Sequence, residues 1–560
     1  MRVRAARLLA ATLGIGWAAT ALWQANKPLP PGTQVASRAC TVATDRLTFA
    51  ADITAADAYG RPVLSRSIFD EVLEVVHGAR RFIVLDYELF GSADSAAQRR
   101  LATELTDALL ERRQSQPDLR VLLITDPVNE RYGSAPAQQL QLLRAAGVAV
   151  VLTDLDVLRD PNVLYSSLWR LTLQWWDGPP GALGASARHL NFKANHRKLI
   201  IADDGHGSLT AVVGSANPLD AQSAWSNAAL RVGSEALQPL LASELAIARF
   251  SGWRGAQDGF GAPQPAPPGC EAATPLSPAA ARLQVLTEGA IRSGLLEQLD
   301  AAVRGDAIDI AAFALADRGL IEALLAAARR GVQVRLILDP SEDATSFAPA
   351  GLPNQPVASE LVARSAGLIR VRWYRTHGER FHSALAMVYG PQRLWLTVGS
   401  ANFTRRSLGD YDLEANLAVE MTRDAPLAQQ LFTYFDTLWS NRAALGIEYT
   451  ADFAAFADPS QVNYWLGRLL EGTGLSALRE ARGAAACSSA ARTACSACCV
   501  SASRALPVAC SKAPTTSVRR LALAGALPAT TKLATTSRPS RRPMMQSNTT
   551  CTCGAAAPPV

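Results

Sequence analysis

Two histidines, His196 and His382, each stand ahead of a Gly-Ser-Ala-Asn turn, Gly214-Ser215-Ala216-Asn217 after the first and Gly399-Ser400-Ala401-Asn402 after the second. A repeated imidazole with a repeated small turn suits covalent phosphodiester chemistry, in which one imidazole attacks phosphorus and the other protonates the leaving oxygen. The first segment reads His196-Arg197-Lys198 and continues to Asp203. On a strand, His196 and Lys198 share a face and Arg197 takes the other, so one phosphate can meet both the ring and the ammonium. Hydroxyls, carboxamides and backbone N–H groups of the turns (Ser215 and Asn217, Ser400 and Asn402) can reach the same oxygens. Asn227 and Glu414 follow the two turns at similar offsets, and each is suited to hold the inner nitrogen of a histidine and fix its tautomer. The second copy is damaged: Ala384 stands where the first has Lys198, and Tyr389 where it has Asp203. Arg405 and Arg406 are the nearby candidates to replace the lost cation. Phosphoryl transfer runs on positioning and charge neutralisation, so the set calls for no metal, and nothing in the chain suggests a nucleotide or flavin cofactor. His77, His189, His206 and His377 read as surface or packing residues.

The elements that must carry these residues come in two copies. From His196 to His382 the repeat is 186 residues. Residues 81–89 align with 307–315, 119–127 with 332–340 and 148–152 with 369–373, each set rich in Val, Ile and Leu; helical spacing over 104–113 and 320–330 fills the gaps between them. Strand and helix in alternation predict an α/β fold of two tandem α/β/α sandwich halves, 60–254 and 279–445, with one pseudo-twofold site between them. A Pro-, Gly- and Ala-rich stretch, 255–278, is the linker. Residues 446–480 contain an amphipathic helix around Tyr464–Leu470, placed either on the body or at a membrane surface. The first half alone carries an insertion between Val157 and Ala194 with Tyr165, Trp169, Trp175 and Trp176, which reads either as a bilayer-docking patch or as packing over the site mouth.

Bulk charge misleads in this chain. The stretch from Arg482 onward holds ten Lys or Arg and no Asp or Glu, so without it the balance falls from +6 to −4, 45 basic against 49 acidic side chains. The low-complexity stretch 481–560 is expected to be disordered. A mildly acidic body argues against a nucleic-acid partner. Seven of nine cysteines lie in the same tail, leaving Cys40 and Cys270 in the body. Two isolated cysteines suit an exported protein in which they pair across the linker, although spacing alone does not decide the pairing. Arg2, Arg4 and Arg7 precede the apolar run Leu8–Trp23, which predicts an uncleaved anchor over 1–28 with the rest of the chain on the extracytoplasmic side; the alternative is a cleaved signal peptide.

His196, Lys198 and Asp203, with the two Gly-Ser-x-Asn turns and a second histidine in register, resemble the phospholipase D superfamily. Gly399 to Glu414 is similar to the second-half segment of bacterial members grouped with phospholipase D and cardiolipin synthase, and the resemblance covers about residues 60–445. It implies a two-step reaction through a phosphohistidine, with His196 as nucleophile, Lys198 on the phosphate, and His382 as general acid and then base, oriented by Glu414. It further implies a phospholipid substrate, hydrolysis or head-group transfer, and one chain supplying both half-sites; together with the basic residues ahead of the anchor, the expected place is the periplasmic side of a bacterial inner membrane. The damaged second copy keeps two other readings open, a catalytically impaired lipid-binding protein and, further off, a nuclease of the same superfamily.

Overall fold

The computed structural model describes residues 2–92, 99–175, 182–255, 260, 270, 275–342, 349–442 and 446–475. The expected tail, most of the linker and Trp176 lie outside the described residues.

The strands in chain order are β1 (Cys40–Ala43), β2 (Leu47–Ala56), β3 (Pro62–Ser65), β4 (Phe82–Tyr87), β5 (Arg120–Thr125), β6 (Ala149–Leu152), β7 (Lys198–Asp203), β8 (Leu209–Gly214) and β9 (Asn227–Gly233). They continue as β10 (Ala280–Thr287), β11 (Ala307–Ala312), β12 (Gln333–Leu338), β13 (Ile369–Tyr374), β14 (Ala384–Tyr389), β15 (Arg393–Gly399), β16 (Ala415–Thr422) and β17 (Thr450–Asp452). One sheet runs β3-β2-β9-β8-β7-β4-β5-β6, the other β1-β10-β16-β15-β14-β11-β12-β13-β17. Seven consecutive strands of each repeat the same order, which is the duplication written as topology. β2 lies ahead of position 60, where the first half was expected to begin, and β1 pairs with β10 in the second sheet, Cys40 opposite Leu283.

Every residue of β4 and β7 is buried, as expected of central strands covered on both faces. Parallel β4 and β5 are joined through the helix Leu101–Ser115, and parallel β11 and β12 through Arg318–Arg330. The inner faces of the two sheets share one core: Val84, Leu199, Ile201 and Val213 cluster with Leu385, Met387, Leu396 and Val398. Separate cores bind the outer helices to each sheet.

The structure shifts one expected alignment by a residue. Ile83 faces Ala202 and Ile308 faces Val388. Glu88 N–H donates to Arg197 O at 3.1 Å, and in the second half it is Phe313 N–H that donates to Ser383 O, at 2.8 Å. Glu88 therefore corresponds to Phe313. The sequence could not show this, because a strand buried on both faces has no inside-outside alternation to fix its register.

The helix Arg2–Asn26 contains a stretch, Val3–Asn26, long and apolar enough to cross a membrane, with none of it buried. Cys40 and Cys270 form a disulfide across 230 positions of sequence. It pins the linker to β1, at the edge of the second sheet. Closing so long a loop restricts the unfolded chain, an effect on the order of 3–5 kcal/mol. Reduction, or Cys270→Ser, is expected to lower the melting temperature by several degrees and to speed proteolysis within 255–278, read by calorimetry and limited trypsin digestion.

Candidate active site

The two halves exchange backbone pairing where the histidine strands begin. Asn195 bridges Leu413 and Ser226 bridges Phe381, both in parallel sense. His196 N–H donates to Leu413 O at 3.0 Å, and Leu413 N–H returns to Ala194 O at 3.1 Å. His382 N–H donates to Ser226 O at 2.7 Å, and Ser226 N–H returns to Arg380 O at 3.0 Å. Each histidine is thus held by the loop that follows the other half's Gly-Ser turn.

The side chains repeat the exchange. Glu414 sits on His196, its carboxylate 2.9 Å from Nδ1, and Ser400 Oγ donates to the same carboxylate. This corrects the expectation that Glu414 orients His382. His382 Nδ1 lies 3.0 Å from Ser215 O and 3.1 Å from Asn227 Oδ1, both acceptors, so Nδ1 carries a proton and donates here. Ser215 Oγ donates to the same Asn227 oxygen at 3.1 Å. His196 and His382 are each only 2% exposed.

Lys198 lies on the face of His196, as the strand spacing requires. Its Nζ is 2.8 Å from Glu88 Oε2, which is also 3.6 Å from His196 Nε2. Arg197 takes the opposite face and is fully buried against Glu244 at 2.6 Å and Glu288 at 2.7 Å. Desolvation pushes Glu288 up to about 7 despite that guanidinium.

The second half-site is built of other materials. Ala384 faces Ala312, and Phe313 stands where the first half has Glu88. Lys198 and Glu88 are partners in the first half, and the second half has neither at the equivalent positions. The His382 ring lies between Trp225, at 5.2 Å, and Phe313, at 4.9 Å. The Arg380 guanidinium stacks on the same two rings, at 5.4 and 5.6 Å. Arg406, one of the expected replacements, is paired with Asp412 at 2.7 Å and lies in the field of Glu88 and Glu414, on the His196 side. Arg405 is held on Tyr411, its guanidinium donating to the phenol oxygen at 2.7 Å.

Asn217 is tied into the scaffold, its Oδ1 accepting from Leu89 N–H at 3.1 Å, while Asn402 is 5% exposed and makes no side-chain hydrogen bond among the described residues. Asp203 is not in the site. It accepts from the N–H groups of Arg80, Arg81 and Phe82 at the far end of β7, a structural clasp on the start of β4. Tyr389, its counterpart, donates instead to Asp309 at 2.9 Å, beside Arg335.

Five important residues carried no sequence assignment. Glu88, Phe313 and Arg380 become visible only through tertiary contacts. The other two are a repeated feature that was in plain sight: Asp126 and Asp339, each at the Asp-Pro that ends a strand. Asp126 Oδ2 accepts from Asn195 N–H at 2.9 Å and Asp339 Oδ2 from Phe381 N–H at 2.8 Å, so each carboxylate grips the residue just before a histidine.

Residues 295–439 match the family model of the cardiolipin synthase, PLD-like domain. Three solved structures are similar: phosphatidylserine synthase of Haemophilus influenzae (12% identity, 79% of this chain and 95% of that one, TM-score 0.46), polyphosphate kinase of Porphyromonas gingivalis (15%, 73% and 52%, TM-score 0.36), and Nuc, a phospholipase D family member of Salmonella typhimurium (21%, 31% and 97%, TM-score 0.24). No curated protein matches the sequence. The family match gives residues 295–439 the character of a PLD-like domain of the cardiolipin synthase kind.

Burial drives Asp126 up to about 7 and Asp339 up to about 6, although backbone N–H groups oppose the shift. A carboxyl whose folded pKa exceeds its unfolded value binds its proton more tightly in the fold. Its contribution to stability is complete below about pH 4 and is lost as pH rises through 6 to 7. Between pH 5 and 8 the melting temperature is therefore expected to fall, and Asp126→Asn to flatten part of that fall, read by thermal melts across the range.

Proposed function

We propose that the chain is a membrane-associated phosphodiesterase or phosphatidyltransferase acting on phospholipids through a phosphohistidine on His196. The observation that carries this reading is the crossed grip on the two imidazoles, each held at Nδ1 by groups of the other half at a single seam. His196 Nε2 attacks phosphorus while the bond from phosphorus to the leaving alcohol breaks, and protonated His382 gives its Nε2 proton to that alcohol's oxygen. In the second step His382 Nε2 takes a proton from water or an acceptor alcohol, whose oxygen attacks phosphorus and releases His196. Water yields phosphatidic acid; an alcohol yields a new phospholipid.

Electrostatics favour His196 as the nucleophile. Glu414 at Nδ1 stabilises the positive ring that forms when Nε2 bonds to phosphorus, whereas Asn227 and a carbonyl offer His382 only neutral acceptors. Lys198 supplies the first cation for the phosphate, and substrate oxygens compete with Glu88 for its protons. Arg380 is assigned the place of the missing lysine: it shares both rings that flank His382 and needs no room on the histidine strand. Asn402 is the turn residue best placed to reach the phosphate, while Ser400, Ser215 and Asn217 hold Glu414, Asn227 and the backbone of Leu89 in place.

Incubating the full chain in vesicles of phosphatidylglycerol and phosphatidylethanolamine, followed by lipid mass spectrometry, is expected to show phosphatidic acid or cardiolipin, and His196→Ala to abolish both. Absence of any product with the unchanged chain would favour the lipid-binding reading, for which Ala384 and Phe313 are the motive. Arg380→Gln is expected to lower kcat/KM by about ten- to a hundred-fold, the scale of one charge-assisted hydrogen bond. Ala384→Lys alone is expected to give no gain, because its carboxylate partner is missing. Full activity in Arg380→Gln would remove Arg380 from the site.

A further inference from the structure

We infer that the helices Val163–Leu171 and Gln461–Thr473 form one surface that inserts into the outer leaflet beside the N-terminal anchor and brings the His196 side of the site to the lipid head groups. This rests on the phospholipid reading above and adds the device that presents the substrate.

The first helix presents leucines to the outside. Leu164, Leu168 and Leu171, at the i, i+4, i+7 spacing of a single face, are 52%, 53% and 49% exposed. Its inner face buries Trp169 together with Ser166, Ser167 and Arg170. Leucines aligned on an outer face suit an apolar medium.

The identity of that medium follows from the helix's neighbour. It packs on the anchor, where Trp17 Nε1 donates to Leu164 O at 3.3 Å. Trp17 is nine residues before the end of the anchor helix, about 13 Å along its axis, which is most of one leaflet's hydrocarbon depth. When the anchor spans a bilayer, the exposed leucines beside it lie in lipid. The second helix repeats the pattern with Val462, Trp465 and Leu469, 75%, 60% and 60% exposed at i, i+3, i+7. Its C-terminal Gly474, at φ +74°, abuts Pro161, so closely that an added Cβ would stand 2.2 Å from Pro161 O. The two apolar faces therefore belong to neighbouring elements. Arg468, stacked on Tyr464 and Trp465, sets a cation at the polar border of this face, where head-group phosphates lie.

A single buried carboxylate joins this surface to the chemistry. Asp160 N–H donates to Gln24 O of the anchor at 3.0 Å, and its side chain takes Arg170 of the docking helix at 2.6 Å and Lys193 at 3.0 Å. Lys193 is three residues before His196.

The test is photo-crosslinking of the full chain in phosphatidylethanolamine and phosphatidylglycerol vesicles, with Leu168→p-benzoylphenylalanine and Trp465→p-benzoylphenylalanine read by mass spectrometry. The same replacement at Val303 and Leu368 gives the controls, exposed residues at the opposite ends of β11 and β13 from His382. Lipid adducts at both 168 and 465, about tenfold above the controls, are expected. Adducts at 168 alone, adducts equal to the controls, or chain-to-chain adducts in place of lipid would each overturn the inference. The triple variant Leu164→Asn, Leu168→Asn, Leu171→Asn is expected to lower the ratio of vesicle-lipid turnover to turnover of a water-soluble phosphodiester about tenfold, and an unchanged ratio counts against docking. If the unaltered chain turns over neither substrate, the phosphodiesterase reading fails while the adduct pattern still decides the surface.

Discussion

The site depends on a backbone exchange between the two halves: His196 is hydrogen-bonded to Leu413 and His382 to Ser226. Each imidazole is carried by one half and aimed by the other, so neither half can make a complete site alone. The exchange also explains why charged groups are buried directly beneath it. Arg197, on the reverse face of the His196 strand, holds Glu244 and Glu288, which come from opposite sides of the linker. Burying an arginine with two carboxyls costs more than their mutual attraction returns unless the geometry is tight. The shared apolar core joins the two sheets, and this buried cluster lies across the same seam.

Much of this was legible in the sequence, for identifiable reasons. The duplication, the two histidines and the two Gly-Ser-x-Asn turns are local patterns with fixed spacing, and the structure sets them at equivalent points of two sheets with the same strand order. Placement of Lys198 beside His196 and Arg197 behind it followed from strand periodicity alone. The partner of each histidine was not legible, because Glu414 and Asn227 stand at similar offsets and only the crossing of the chains decides which ring each one meets. Asp203 matched a motif yet lies at the far end of its strand, showing that a signature can record a folding requirement as readily as a chemical one. Asp126 and Asp339 were visible as a repeated Asp-Pro, but their grip on Asn195 and Phe381 spans long stretches of sequence and appears only in the fold.

The asymmetry of the half-sites follows from one electrostatic rule. In the first half, Lys198 and Glu88 are an ion pair beside the histidine. Had only the lysine been lost from the second half, a glutamate would have remained in a nearly closed pocket without its cation, an arrangement that costs several kcal/mol or forces the carboxyl to take up a proton. Had only the glutamate been lost, a buried ammonium would have faced the same penalty whenever substrate was absent. Ala384 and Phe313 avoid both. Where the first half has this ion pair, the second half has a small residue and an aromatic one, whose ring packs against His382 and Arg380. What looks in sequence like damage to a motif is, in three dimensions, a consistent exchange of ionic for aromatic packing. That exchange creates a new possibility, since a ring that flanks an imidazole on one side can hold a guanidinium on another. Phe313 touches His382 and Arg380 alike, and Trp225, from the other half of the chain, does the same. The second half-site is therefore crossed in its aromatics as well as in its backbone, and Arg380 is positioned by both halves at once.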